Sequence, residues 1–294
     1  MIETFNQHRQ LLFGIAYRML GSVAGAEDQV QETWLRWQKQ DAATIQSPKS
    51  WLVATLTRLC IDQLRSARHQ REEYYGVWLP EPLVGDTAAA PDQTADLADS
   101  LSMAFMLMLE TLNPVERAVF LLREVFDYEY ADIAAVVDKS EANCRQIIRR
   151  AKAELLIQPH PTGLPDARAR RVVEEFMSAT ATGNMDNLLA VLTEDATLYS
   201  DGGGKVQAAR HPIQTALRVS RFFKGIQPRW PADLTVRYVG INGRPGALMF
   251  SGGQIYNAVA FELQGNRVHR IFIVRNPEKL QHLAPIFPHE SRSN

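Results

Sequence analysis

YADIAAVVDKSEANCRQIIRRAKAEL, residues 130–155, is the stretch around which the rest of the chain can be organised. Tyr130, Ile133, Ala134 and Val137 recur at helical spacing, as do Cys144, Ile148, Ala151 and Leu155, which predicts two short helices with one apolar stripe each. Asp138-Lys139 breaks the pattern between them, and Ser140 ahead of Glu141 is a good N-cap for the second helix. That helix turns Arg145, Arg149 and Lys152 to one side, with Gln146 and Arg150 beside them. A basic, amide-bearing face backed by a buried stripe suits a helix in the major groove, where Arg meets phosphate or guanine and Gln reads adenine. A solvated basic helix in a bundle has the same composition, so this segment alone leaves both readings open.

At 294 residues the chain suits two or three domains, and 46% hydrophobic with 22% charged residues is ordinary globular composition. The formal net charge of -1 excludes a wholly basic coat, so any contact with nucleic acid must come from local clusters. Cys60 and Cys144 each sit on an apolar helix face with no Cys/His cluster nearby, and read as reduced core residues. No P-loop and no HExxH pattern occurs, so no metal and no cofactor is expected. The absence of a long apolar run and of a signal-peptide pattern predicts a cytoplasmic protein with no membrane partner.

Upstream, residues 5–20 form an apolar helix through Phe5, Leu12, Ile15 and Met19, stopped by Gly21. Ser22 caps a second helix that buries Ala26, Val30, Trp34 and Trp37 and carries Asp28, Gln31 and Glu32 on its opposite face. By itself such a face is merely solvated. A third helix follows Ser47-Pro48, burying Leu52, Leu56 and Leu59 and aligning Arg58, Asp62 and Arg65, with Arg68, His69 and Arg71 as a basic end. A polar loop, Gln38 to Ser47, joins the second helix to the third.

YRMLGSVAGAEDQVQETWLRW (17–37) followed by SPKSWLVATLTRLCIDQLRSARHQR (47–71) resembles the first folded domain of an extracytoplasmic-function (ECF) RNA polymerase sigma factor. The resemblance implies that Asp28, Gln31 and Glu32 contact the clamp helices of the polymerase β′ subunit. It implies that Arg58, Arg65 and Arg68 lie at the -10 element, with the 38–47 loop capturing a flipped base. Arg58 stands where many members of the wider family carry Asn. Trapping an unstacked base while arginines hold the displaced backbone is physically sound and needs no ATP or metal.

From Tyr74 to Asp96 the composition becomes Pro-rich, small and acidic, as in an extended linker. Within it WLPEPL (78–83) is too apolar for a free strand, and Trp78, Leu79 and Pro80 are expected to dock on a folded surface. Residues 97–112 read as a helix with Leu97, Leu101, Phe105 and Met108 inward, and Asn113-Pro114 with Glu116 opens another. This helix and the helix–turn–helix resemble the second sigma domain, which implies -35 element contacts by Arg145, Gln146, Arg149, Arg150 and Lys152. Asp138 replaces the usual turn Gly, and Asp tolerates the left-handed backbone.

After the Pro-rich LIQPHPTGLP (156–165) come helices at 166–182, 185–193 and His211 to Gly225, then segments near 234–241, 246–251, 254–263 and 267–275. Asn242-Gly243 and Gly265-Asn266 supply hairpin turns, and helices first with antiparallel strands last predict an α+β cone. This part resembles the SnoaL-like (NTF2-like) fold. Together with WLPEPL, Asp201-Gly202-Gly203-Gly204-Lys205 and Asn276-Pro277 resemble motifs of the SigJ-type subgroup of ECF sigma factors. That implies a regulatory domain seated against the sigma portion by Asp201, Lys205, Arg275, Asn276 and the residues after Pro277. The domain scheme is therefore 1–73, linker 74–96, 97–157, linker 158–165, cone 166–284 and tail 285–294, two all-α domains followed by one α+β domain.

Two other classes stay open. A one-component DNA-binding regulator with a ligand-sensing cone, holding an unidentified small ligand, accounts for residues 113–155 and the cone, but leaves the first seventy residues idle. An enzyme is the other, with Asp195, Tyr199, Asp201 and His211 as the available polar groups; no spacing among them fixes a catalytic pair.

Overall fold

The computed structural model describes residues 1–41, 45–72, 74–85, 100–155 and 166–287. They group into two compact units. One is helical, built from Met1–Glu73, Thr94–Leu101 and Phe105–Gln158; the other is α+β and gathers Tyr74–Gln93, Ser102–Ala104 and Pro159–Asn294. Among the described residues no helix is long and apolar enough to cross a membrane.

In the helical unit, α1 (Ile2–Leu20) stops at Gly21, whose φ of 65° lets its N–H return to the Tyr17 carbonyl. Helix α2 (Val23–Trp37) is capped by Ser22, whose side chain accepts from the Gly25 amide. Helix α3 (Pro48–Glu72) buries Leu52, Leu56 and Cys60, with Leu59 half-buried at the margin. The helix expected over 97–112 is shorter: α4 is Met103–Leu109, and Leu97 lies outside the described residues. In the unbroken apolar run MAFMLML every spacing looks like a stripe, so the pattern points to Phe105 and Met108, whereas Met103, Ala104, Met106 and Leu109 are the buried residues; Leu101, just ahead of the helix, is buried as expected.

Helix α5 (Pro114–Phe120) opens on a full capping box between Asn113 and Glu116, and loosens into a π turn at Leu121–Val125. Helices α6 (Tyr130–Val137) and α7 (Glu141–Leu155) follow. Two buried arginines tie α1 to the later helices. Arg18 is 3% exposed, donates to Ser100 Oγ at 2.8 Å and lies over the Phe126 ring. Burial pulls its pKa down to about 10. Arg117 Nη1 donates to the Met19 carbonyl and to Glu110, both at 2.8 Å. Spending donors this way makes a buried guanidinium tolerable, although Arg117 Nε is left buried without a partner.

In the α+β unit, α8 (Asp166–Thr182) and α9 (Met185–Val191) lead into β1 (Leu192–Asp201), β2 (Ile213–Gln214) and α10 (Ala216–Ile226). The helix expected to begin at His211 begins at Ala216, because Ile213-Gln214 pairs with Leu198 and Thr197 of β1. Then come β3 (Thr235–Ile241), β4 (Arg244–Ser251), β5 (Gln254–Gln264), β6 (Arg267–Val274) and a 3-10 turn at Pro277–Leu283.

The sheet order is β2-β1-β6-β5-β4-β3. The hairpins are antiparallel as expected, but β1 runs parallel to β6, so the sheet is mixed. Phe176 of α8 meets Phe223 of α10 and Phe261 of β5 edge to face within the core. The α+β cone expected from the sequence is what forms.

Candidate functional site

Asp138 takes up the left-handed turn between α6 and α7 at φ 53° and ψ 55°. Its carboxyl-bearing side chain tolerates this backbone better than most residues do. Ser140 Oγ accepts from the Asn143 amide at 3.2 Å and so starts α7. Cys144, Ile147, Ile148, Ala151 and Leu155 are buried, which turns Arg145, Gln146, Arg149, Arg150 and Lys152 outward, all exposed. Arg145 bonds Glu141 at 2.8 Å and lies 4.7 Å over the Tyr130 ring, and Lys152 pairs with Glu124 at 2.5 Å. On α6, Ile133 and Val136 are the fully buried residues, whereas Tyr130, Ala134 and Val137 of the expected stripe are half-buried.

Arg58 makes a contact within the helical unit that its spacing in the sequence does not announce. Its guanidinium points along the helical unit, donating through Nε to the Val136 carbonyl at 2.9 Å and through Nη2 to Ala135 at 2.7 Å. These are orphan acceptors at the C-terminus of α6, where a cation also meets the negative end of the helix dipole. In this arrangement the arginine of α3, exposed like Arg65, caps the first helix of the helix–turn–helix. Arg65 is exposed, 3.6 Å from Asp62. The Arg68 side chain lies outside the described residues, as do residues 42–44 of the proposed base-capture loop. Asp28 and Gln31 are exposed on α2, and Glu32 is half-buried and bonded to Arg36 at 2.8 Å.

The α+β unit has a second constellation, centred on Asp201, which is fully buried. Its carboxylate accepts from Tyr74 Oη at 2.5 Å, the Leu79 amide at 2.8 Å, the Gly203 amide at 3.0 Å and Lys279 Nζ at 2.7 Å. Lys279 also donates to the Leu79 carbonyl at 2.5 Å and lies 4.2 Å over the Trp78 ring. Asn276 donates to Tyr74 Oη at 3.1 Å, accepts from the Glu278 amide and caps the 3-10 turn opened by Pro277. Burial, with the Asp201 hydrogen bond next, raises the pKa of Tyr74.

So Asp201 and Asn276 hold the linker itself, with Leu79 fully buried and Pro80 beneath it. Lys205 is not in this cluster: it is exposed and pairs with Glu278. The buried cation is Lys279, which the sequence singles out no further than as one of the residues after Pro277. Gly202 and Gly203 are there for space as well as for the turn. A Cβ on Gly202 would meet the Val206 carbonyl at 2.3 Å, and one on Gly203 would meet Asn276 Nδ2 at 2.3 Å. Further along, the linker adds itself to the sheet edge: Leu83 exchanges hydrogen bonds with Asn242, and Val84 bridges Ile241.

The polar groups considered for catalysis do not converge. Asp195 is exposed beside His269, Tyr199 stacks on Phe272, Asp201 is taken up by the linker and His211 is exposed. Among the described residues no group of three His, Cys, Asp or Glu could hold a metal ion. Cys60 and Cys144 are both free thiols in the core, and burial pushes the Cys60 pKa up.

Residues 4–70 match the Sigma-70 region 2 family and residues 102–155 match Sigma-70 region 4. The chain is 36% identical to the ECF RNA polymerase sigma factor SigJ of Mycobacterium tuberculosis, covering 95% of this chain and 92% of that protein. It is 28% identical to the probable ECF sigma factor SigI of the same organism, over 94% of this chain and 93% of the relative. The crystal structure of M. tuberculosis SigJ superposes with a TM-score of 0.74 at 31% identity, covering 95% of this chain and 98% of that one.

Proposed function

Because the chain belongs to the extracytoplasmic-function RNA polymerase sigma factors, we propose that it joins core polymerase and directs initiation at promoters through its two helical segments. The observation that carries this reading is the exposed Arg145, Gln146, Arg149 and Arg150 face of α7, within a segment matching Sigma-70 region 4. That face, with Lys152, is assigned to the -35 element. Arg58, Arg65 and Arg68 are assigned to the -10 region. Asp28, Gln31 and Glu32 on α2 are assigned to the polymerase β′ clamp helices.

These roles require a change of arrangement. A sigma factor reading two promoter elements on polymerase must free the helix–turn–helix from α3, and so release Arg58 from the Ala135 and Val136 carbonyls. The contact therefore restrains the chain before it meets polymerase. The α+β unit is assigned a modulating role through its grip on the linker, which can act only if that grip differs in free energy between the restrained and bound states. Catalysis is not assigned to it, since its candidate polar groups are scattered and the relatives are sigma factors.

The test is run-off transcription with purified core enzyme on genomic fragments. Full-length protein, a truncation after Gln158, Asp201→Ala and Lys205→Ala are compared. Specific start sites are expected only with the sigma factor present. Duplex promoter binding without polymerase would favour a one-component regulator instead. Identical activity across all four proteins would remove the modulating role.

A further inference from the structure

Between α8, α10 and the sheet of the α+β unit lies a cavity of about 220 Å³. Phe176, Phe223, Trp230, Met249 and Val259 give it apolar walls. Its polar lining is lopsided: Arg229 and Arg275 contribute to it, and no Asp or Glu does. Asn257, 6% exposed, lies in the wall with its Oδ1 buried and unpartnered, and Arg275 Nε is likewise buried without a partner. The other Arg275 nitrogens hold the Gln207 carbonyl at 2.7 Å and Tyr256 Oη at 2.8 Å, both neutral groups. Asn257 and Arg275 follow the Ala258–Val274 pair on adjoining strands, so they are neighbours across the sheet.

Buried polar atoms without partners are uncommon and each asks for an explanation; two of those among the described residues lie in the wall of this one cavity. Here a guanidinium whose hydrogen-bond partners are neutral and an amide share the wall of a cavity whose remaining lining is mainly apolar. A cavity of roughly 150 Å³ already admits benzene, so this one has room for a ring with a short arm. We infer that the cone binds a small apolar carboxylate, one ring or a short chain in size, with its head on Arg275 and Asn257. The carboxylate accepts from Arg275 Nε and from the Asn257 amide turned to present its NH2, while the ring lies among the aromatic side chains.

The site adjoins the linker clamp through single peptide bonds. Ser200 lines the cavity and Asp201 holds Leu79; Arg275 lines the cavity and Asn276 holds Tyr74. The Arg275 and Asn276 amides both donate to the Asp201 carbonyl, at 2.7 and 3.0 Å. Successive residues of a strand point to opposite faces, so one short segment presents one side chain to the ligand and the next to the linker. An occupant of the cavity thereby acts on the grip that holds the WLPEPL segment.

Calorimetric titration of the full chain with phenylacetate, and with phenylacetamide as its uncharged counterpart, tests this. One saturable site with a Kd below about 1 mM is expected for the acid, and binding weaker by roughly tenfold or more for the amide. Asn257→Leu and Arg275→Gln should each weaken the acid, and Val259→Phe should exclude both compounds. Circular dichroism melting curves establish which variants are folded. No saturable binding of phenylacetate up to about 10 mM overturns the site, and equal binding of acid and amide by the wild type overturns its anionic character. That comparison needs no variant. Amide exchange at Leu79 is expected to change on saturation, and unaltered exchange there overturns the link to the linker.

Discussion

Lys279 Nζ lies 2.7 Å from Asp201 Oδ2, both side chains are withdrawn from solvent, and the same ammonium reaches the Leu79 carbonyl. An ion pair this deep stabilises little against an apolar replacement, but losing one partner strands the other. The two ends are not equivalent. Without Lys279 the carboxylate keeps Tyr74 and the Leu79 and Gly203 amides as donors. Without Asp201 the ammonium keeps the Leu79 carbonyl and the faces of the Trp78 and Tyr74 rings. Asp201→Ala is therefore expected to cost about 3–5 kcal/mol and Lys279→Met less, as read from urea unfolding of the full chain. Equal costs would contradict this account.

Tyr74 gives the clamp a pH limit. Its folded pKa lies above the ordinary value of 10, through burial first and the hydrogen bond to Asp201 second. A raised folded pKa contributes stability that is complete below the unfolded value and lost as pH rises through the folded one. Linker attachment is thus expected to be insensitive to Tyr74 ionisation below pH 10 and to weaken above it. Tyr74→Phe should abolish that alkaline dependence, with amide exchange at Leu79 as the readout.

Gly203→Ala combines two penalties at one position. The glycine sits at φ 59°, and the added Cβ would overlap Asn276 Nδ2, the group that donates to Tyr74. Destabilisation of about 1–3 kcal/mol is expected. Gly252→Ala has a similar φ of 58° but open space around it, and should cost less. The difference in melting temperature between the two variants isolates the contact with Asn276 from the backbone term.

How far the sequence could be read follows from what sets each feature. The ends of α1, α2 and α7 were legible because Gly21, Ser22 and Ser140 act locally, through backbone angles and caps. The docking of Leu79 was foreshadowed by an apolar, Pro-rich segment with no other place to go. The linker contacts of Lys279 and Asn242 were not legible, since they depend on groups 200 and 159 residues away along the chain. The parallel β1–β6 pair was missed for the same reason: hairpin turns announce antiparallel neighbours, while a parallel neighbour leaves no turn to see. Arg58 was assigned its outward face correctly by spacing, but spacing could not reveal that α6 ends against it.

On the proposed role of α7, Arg149→Ala should weaken promoter binding by holoenzyme and lower the salt slope by about one unit if the side chain meets a phosphate. Gln146→Ala should instead relax sequence preference at one -35 position with a smaller change in slope. Titrations at several salt concentrations separate the two outcomes. Equal slopes for wild type and Arg149→Ala would place Arg149 off the backbone.

Arg58 tests whether the helical unit is restrained before it meets polymerase. Its two hydrogen bonds to the Val136 and Ala135 carbonyls join α3 to α6, and charge-assisted bonds of this kind contribute about 1.5–3 kcal/mol, less where water competes. Arg58→Ala should therefore speed amide exchange at the end of the helix–turn–helix and lower the melting temperature of the unit. If joining core polymerase requires α3 and α6 to part, the contact opposes binding by its own free energy and by no more. Removing about 1.5 kcal/mol of restraint would then tighten the complex with core up to roughly tenfold. Arg58→Lys should fall between, because one ammonium cannot reproduce a fork aimed at two carbonyls. Measured on core without DNA, this ranking is independent of any promoter contact Arg58 makes later. Unchanged core affinity in Arg58→Ala, alongside faster exchange in α6, would show that the contact stabilises the fold without restraining it.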